Sequence, residues 1–169
     1  MILDALISPQ TSLLKMVTGM NLEAYLKSTG IWYRFYEKPE TVHTADASRE
    51  TGIQLNKITK NLVCKTNDGQ YGLLIVPGDR RVNLQEAARV LGARNIQLLA
   101  FSDAESVSGY PPGATPSIHH KTSLKVVIDE TLLHNETIFC GGGTRNRLLE
   151  LKTEDLVKLS NAVAAAISK

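Results

Sequence analysis

The chain has 169 residues, 43% apolar and 21% charged, with a formal net charge of +2 and a pI near 8.5. This is the composition of one ordinary globular domain, able to bury a core without disulfides or a structural metal. It excludes a membrane span, since no apolar run approaches the ~18 residues one needs, and it lacks the dense basic stripe of a dedicated DNA binder.

Residues 1–20 show no clean period and read as a small helix or a loose arm, an N-terminal extension to a domain over 21–169. The opening MILDALISPQTSLLKMV lacks a basic n-region and a continuous apolar stretch. It does not read as a signal peptide, and the cytoplasm is the expected compartment. NLEAYLKSTG reads as a helix capped by Asn21 and ended by Gly30, and the aromatic-rich IWYRFYEK as a strand. Thr44 is the expected cap of a second short helix that Gly52 ends. KITKNLVCKT and YGLLIVPG flank Asp68-Gly69 and predict a hairpin. Asn83 and Glu86 make a capping-box-like pair before LQEAARVL, which stops at Gly92.

IQLLAF is the next expected strand. SGYPPGATPS holds two Gly and three Pro in ten residues and must be a shaped loop. LKVVIDE and TIFC read as strands, with Gly141-Gly142-Gly143 after them and then RLLEL. Thr153 is the expected cap of the last helix, whose apolar stripe runs through Leu156, Leu159, Val163 and Ile167. The order mixes helices with strands and hairpins, which predicts a single α/β domain with a mixed sheet and no regular βαβ array.

Common catalytic signatures are missing. The chain has no G-x-S-x-G elbow, no H-E-x-x-H, no phosphate loop and no G-x-G-x-x-G. Cys64 and Cys140 lie far apart, without CxxC or histidine at ligand spacing, so they read as buried apolar strand residues and no metal or cofactor is implied. His43, His119, His120 and His134 read as surface or structural residues. The triple glycine reads as a bulge or a close backbone approach.

Two features point to chemistry. Lys60 starts the strand pattern I-T-K-N-L-V, where a lysine either binds phosphate as a point charge or guards an exposed edge. The loop Gly109–Pro116 is stiffened by prolines, and Gly113 lets a backbone N–H approach a ligand. Such amides stabilise an oxyanion; otherwise the loop is a rigid connection.

The stretches TVHTADASRETGI, KITKNLV, LLIVPGDRRVNLQEAARVLGA, SGYPPGATPS, KVVID and GGG…LLELKTEDLVKL occur in an order that resembles the YbaK/prolyl-tRNA-synthetase-associated domain family. The resemblance covers about residues 21–160. It implies a curved mixed β-sheet flanked by helices and a trans-editing hydrolase that removes the amino acid from mischarged tRNA, alanyl- or cysteinyl-tRNA(Pro) first. The family's lysine falls on Lys60, its P-G-x-x-P loop on Pro112, Gly113 and Pro116, and the aspartate closing its V-I-D strand on Asp129. Lys60-Asn61 resembles the alanine-specific branch, whereas TIFCGGGTRNR looks more like the YbaK branch.

On this resemblance Lys60 holds the phosphate of the terminal adenosine and the amides near Gly113 polarise the ester carbonyl. Asn61 completes the catalytic set. Pro112, Ala114, Thr115, Pro116, Asp129 and Gly142 line or support the pocket, and Arg80, beside Arg81, contacts the tRNA backbone. The expected partners are aminoacyl-tRNA and prolyl-tRNA synthetase. The competing readings are a non-catalytic tRNA- or synthetase-binding module and a small-molecule phosphate or nucleotide binder using the same lysine.

Overall fold

The computed structural model describes residues 20–169, so the expected N-terminal extension lies, except for Met20, outside the described residues. Helix α1 (Leu22–Thr29) starts with the Asn21 side chain accepting from the Ala24 N–H, and Gly30 ends it at φ 73°. Strand β1 (Tyr33–Glu37) and helix α2 (Thr44–Thr51) follow. The cap of α2 is His43, extended at φ −99° and ψ 147°, and not Thr44. Thr44 already belongs to the first turn, and the His43 side chain bonds none of its amides.

After a short 3₁₀ turn (Leu55–Lys57), β2 (Thr59–Thr66) and β3 (Tyr71–Pro77) form the expected hairpin, with Lys60 opposite Val76 and Asn61 opposite Ile75. Helix α3 (Leu84–Leu91) is capped by Asn83, whose side chain accepts from the Glu86 N–H at 3.3 Å. Glu86 makes an ion pair with Arg89 at 2.8 Å.

Strand β4 (Ile96–Leu98) is shorter than IQLLAF, because the chain turns at Ala100 into helix α4 (Phe101–Ser108). The sequence FSDAESVS shows no apolar stripe, and only Val107 and Ser108 of it are buried, so periodicity could not reveal this helix. Then come β5 (Lys125–Asp129), a 3₁₀ turn (Glu130–His134), β6 (Thr137–Gly141), β7 (Arg147–Lys152), α5 (Thr153–Ser160) and β8 (Val163–Ala165).

The last helix departs from expectation at both ends. Lys152 is its cap, and the Thr153 hydroxyl instead donates to the Asn135 carbonyl at 2.5 Å. The helix stops at Asn161, φ 54°, so the stripe breaks after Leu159. Val163 lies in β8, which pairs in parallel with β5, and is 56% exposed. The β5 edge supplies the backbone partners that a longer helix would have supplied internally.

The strands form a five-stranded mixed sheet in the order β4-β2-β3-β5-β8 and a three-stranded antiparallel sheet β1-β7-β6. A parallel bridge between Ile58 and Phe139 joins them. The expected α/β domain with mixed strands is present, divided between two sheets. Strand β3 is covered on both faces, as its unbroken Leu73-Leu74-Ile75-Val76 run requires. Leu73 and Ile75 pack with Val63, Ile128 and the α1 residues Leu22 and Leu26. Leu74 and Val76 pack on the other side with Cys64, Val127, Ala87 and Ile167. Cys64 and Cys140 are buried free thiols, each pushed up to about 11 by burial.

Candidate active site

A cavity of about 490 Å³ opens at the start of β2. Four segments line it: the approach to α2 (Thr41–Ala45), the start of β2 (Thr59–Val63), the β4–α4 junction (Leu98, Leu99, Phe101, Ala104) and the loop carrying Pro112, Gly113 and Thr115. Ala47, Ile58, Gly78, Gly141 and Leu148 complete the wall. Lys60 is the one lysine, arginine or carboxylate among the described lining residues, and no serine or cysteine lines the cavity there. The wall is otherwise apolar side chains, threonine hydroxyls, Asn61, His43 and main chain.

Lys60 donates from Nζ to the Arg80 carbonyl at 2.7 Å. Burial lowers its pKa, and the neighbouring Arg81 lowers it further, against an opposing pull from Asp79. Arg80 itself lies outside the cavity; its Nε donates to Ser168 Oγ at 2.7 Å. Asn61 is held at both ends of its amide: Nδ2 donates to Thr59 Oγ1 at 2.9 Å, and Oδ1 accepts from Ser117 Oγ at 2.6 Å. It ties β2 to the proline loop.

That loop is clamped through alternate carbonyls. Pro112 O accepts from Arg145 Nε at 2.8 Å, Ala114 O from the Gly143 N–H at 2.9 Å, and Pro116 O lies 2.8 Å from His120 Nε2. In a trans peptide the C=O and the following N–H point in opposite directions. The clamps therefore turn the amides of Gly113 and Thr115 away from Arg145 and Gly143. Neither amide has a hydrogen-bond partner among the described residues. Gly113 has φ +84°, and a Cβ there would stand 2.7 Å from Val42 Cα. Gly141 is equally constrained, its Cβ site lying 2.4 Å from the Ala114 carbonyl carbon. This is the close backbone approach read from the triple glycine. Gly142 is outside the cavity and accepts from Arg147 Nε at 2.8 Å. Ala114 and Pro116, in the same loop, are buried and do not line the cavity.

Lys38, which the sequence did not single out, is buried and donates to Thr41 Oγ1 at 2.6 Å and to the Arg145 carbonyl. It fastens the segment before α2 to the segment that holds Pro112. Asp129 is buried away from the cavity lining. Its carboxylate accepts from the Ile167 N–H at 2.9 Å and from Thr131. The segment after Ile167 pairs in both directions with Arg81, at 2.9 and 2.8 Å. Asp129 thus supports the turn beneath Lys60 at a distance. Asp129→Ala strands a buried N–H and removes a charged hydrogen bond, a loss of about 1.5–3 kcal/mol. The expected fall in thermal midpoint is roughly 3–12 °C, read by calorimetry.

His119, at φ 63°, stacks on Tyr25 at 4.3 Å, and its Nδ1 lies 3.1 Å from the Tyr110 hydroxyl. Burial lowers the pKa of both His119 and His120. The unfolded chain therefore takes these protons more readily, near the ordinary imidazole value of ~6.5. Stability is complete above that value and declines as pH falls through it. The thermal midpoint is expected to drop between about pH 7.5 and 5.5, above the carboxylate range, and to drop less in His120→Gln.

The segment TVHTADAS belongs to the ordered set of family-like stretches, yet in the sequence it offers only a helix cap at Thr44 and a surface or structural His43, with no residue in the site. Thr41, Val42 and His43 reach the cavity because α2 packs on the 3₁₀ turn before β2, with Ala47 buried against Ile58, Phe139 and Leu148. Among the described residues no helix is long and apolar enough to cross a membrane.

A family model described as an aminoacyl-tRNA editing domain matches residues 38–159. EbsC of Enterococcus faecalis, named for deacylation of Cys-tRNA(Pro) and Cys-tRNA(Cys), is 24% identical over 136 residues, 80% of this chain and 83% of its own. The proline–tRNA ligase of Thermosipho melanesiensis is 26% identical over 113 residues, 63% of this chain but 20% of the ligase. Among solved structures, that of a hypothetical protein superposes with TM-score 0.82 at 28% identity, covering 88% of this chain and 99% of that one. Another, described in connection with trans-editing for prolyl-tRNA synthetase, gives TM-score 0.73 at 26% identity, covering 81% and 87%.

Proposed function

The chain belongs to the aminoacyl-tRNA editing domain family, and from that premise we propose that it hydrolyses the ester of a mischarged tRNA, with alanyl- and cysteinyl-tRNA(Pro) as the first candidates. The observation that carries the reading is the pairing, in one cavity, of a lone cation with two unpartnered loop amides.

Lys60 binds the phosphate of the terminal adenosine, exchanging the Arg80 carbonyl for a charged acceptor. This fixes the ester against the loop, and the amides of Gly113 and Thr115 receive the negative charge that develops on its carbonyl oxygen. Water adds to the carbonyl carbon, the C–O bond to the ribose breaks, and the ribose oxygen takes the proton. The free amino acid and uncharged tRNA leave. No carboxylate or thiol of the described lining serves as base or nucleophile. The neighbouring ribose hydroxyl, or the thiol of a cysteinyl substrate, supplies the assistance. Asn61 holds the start of β2 against the loop through Ser117.

Beside Gly113 the cavity wall is apolar, formed by Val42 and Pro112. This part of the cavity takes a small aminoacyl side chain and rejects a larger one by size, the selection a synthetase pocket cannot make when a methylene is worth only ~1–3 kcal/mol. Arg80 and Arg81 extend positive charge from Lys60 over the exposed turn, toward the acceptor stem. Prolyl-tRNA synthetase is the proposed source of substrate, in the cytoplasm.

The test is deacylation of alanyl-, cysteinyl-, seryl- and prolyl-tRNA(Pro). Cleavage of one wrong pairing with cognate prolyl-tRNA spared supports the reading. Tight tRNA binding with no cleavage of these or of other mischarged tRNAs replaces it with a binding module.

A further inference from the structure

Phe101 has an exposure that the fold does not account for. It opens α4, is 59% exposed and contributes to the cavity wall that also holds Lys60. Among the described residues the other exposed large apolar side chains (Trp32, Leu84, Leu133 and Val163) lie elsewhere in the fold and do not line the cavity. Phe101 is therefore, among the described residues, a single exposed aromatic face at the mouth of a charged cleft, rather than part of a broad apolar patch of the kind that marks a protein interface.

Strand pairing fixes where it stands. Leu98 is opposite Cys64, and the Leu99 N–H donates to the Val63 carbonyl at 3.0 Å. The strands are antiparallel, so the chain beyond Leu99 runs toward the Asn61–Lys60 end of β2. A terminal nucleoside has three diverging substituents on its ribose: phosphate, base and ester. The proposed function assigns the phosphate to Lys60 and the ester to the loop at Gly113. The base is left to the β4–α4 side, where Phe101 offers an open aromatic face.

We infer that Phe101 stacks on the terminal adenine of the tRNA and positions the ester through it. This deepens the editing reading and rests on it. Stacking on an aromatic side chain is worth enough to change affinity about 5- to 150-fold. His43, the N-cap of α2, is the other aromatic ring in the described lining, and the experiment tests it in parallel.

The experiment uses an uncharged acceptor-stem minihelix ending in a fluorescent adenine analogue, titrated with wild type, Phe101→Ala, Phe101→Trp and His43→Ala. Stacking quenches the fluorophore. The expected result is quenching by wild type, loss of quenching with affinity at least about fivefold weaker in Phe101→Ala, and recovery in Phe101→Trp. Parallel deacylation should show a raised KM in Phe101→Ala with kcat changed less. Quenching and affinity retained in Phe101→Ala, or lost only in His43→Ala, overturn the inference while leaving editing intact. Quenching that depends on Phe101, without cleavage of any aminoacyl-tRNA, keeps the stacking on adenine but removes the editing reading and, with it, the positioning of an ester. No minihelix binding by wild type overturns the inference, and the deacylation panel then decides editing separately.

Discussion

Lys60→Ala should lower kcat/KM for deacylation about a hundredfold while leaving the fold intact. The lost interaction is a charge-assisted hydrogen bond to phosphate, worth about 1.5–3 kcal/mol, and the ester it positions drifts from the loop amides. The fold survives because the Lys60 amine bonds one carbonyl, that of Arg80, on an exposed turn where water takes its place. Stopped time courses against an unchanged thermal midpoint separate these effects. Lys60→Arg restores charge but not the compact ammonium, and should recover only part of the rate.

The same residue sets an alkaline limit. Burial and Arg81 hold its pKa below the ordinary lysine value, so the charge needed by the phosphate disappears at lower pH than in an exposed lysine. Enzymatic rate, after subtraction of base-catalysed ester hydrolysis, should decline on the alkaline side at lower pH than an ordinary exposed lysine would give. An alkaline limb unchanged in Lys60→Arg would assign it to another group.

Gly113→Ala is the second large effect. The position has φ +84°, and the added methyl would meet the Val42 main chain at 2.7–2.8 Å. The left-handed conformation alone costs a non-glycine residue roughly 1–2 kcal/mol, and the contact with backbone forces the loop or the approach to α2 to move. Either shift redirects the Gly113 amide. Losing one oxyanion donor costs about 10²–10³ in kcat, so kcat should fall by at least about a hundredfold. KM should change little, because Lys60 still holds the phosphate. A Gly113→Ala variant with wild-type kcat would show that this amide is not used. Its thermal midpoint should fall by only several degrees, far too little to account for the rate at assay temperature.

Much of the framework was legible in the chain itself. Asn21, Asn83, Gly30 and Gly92 bound their helices through local hydrogen bonds or left-handed conformations, and the hairpin at Asp68-Gly69 needs only its turn and two β-rich runs. The ordered family-like stretches brought out Lys60 and the proline loop together, which neither residue type could do alone. Sequence reasoning failed where a short element has weak periodicity of its own. Helix α4 buries almost nothing, and β8 exists because the edge of β5 was open to a partner.

The tertiary structure decided the rest of the site. Asp129 looked like a pocket residue, but burial carried its carboxylate to Thr131 and Ile167, from where it acts on the Lys60 turn indirectly. Lys38 and Arg145 are unremarkable in the sequence, yet a buried amine and a clamped carbonyl make them the fasteners of the cavity wall. Phe101 and His43 face the same space from elements far apart in the chain. Caps, turns and strand periods are written over a few neighbouring residues, where backbone sterics and local hydrogen bonds act. The direction of an amide, the partner of a buried charge and the surroundings of an exposed ring depend on segments brought together only by packing.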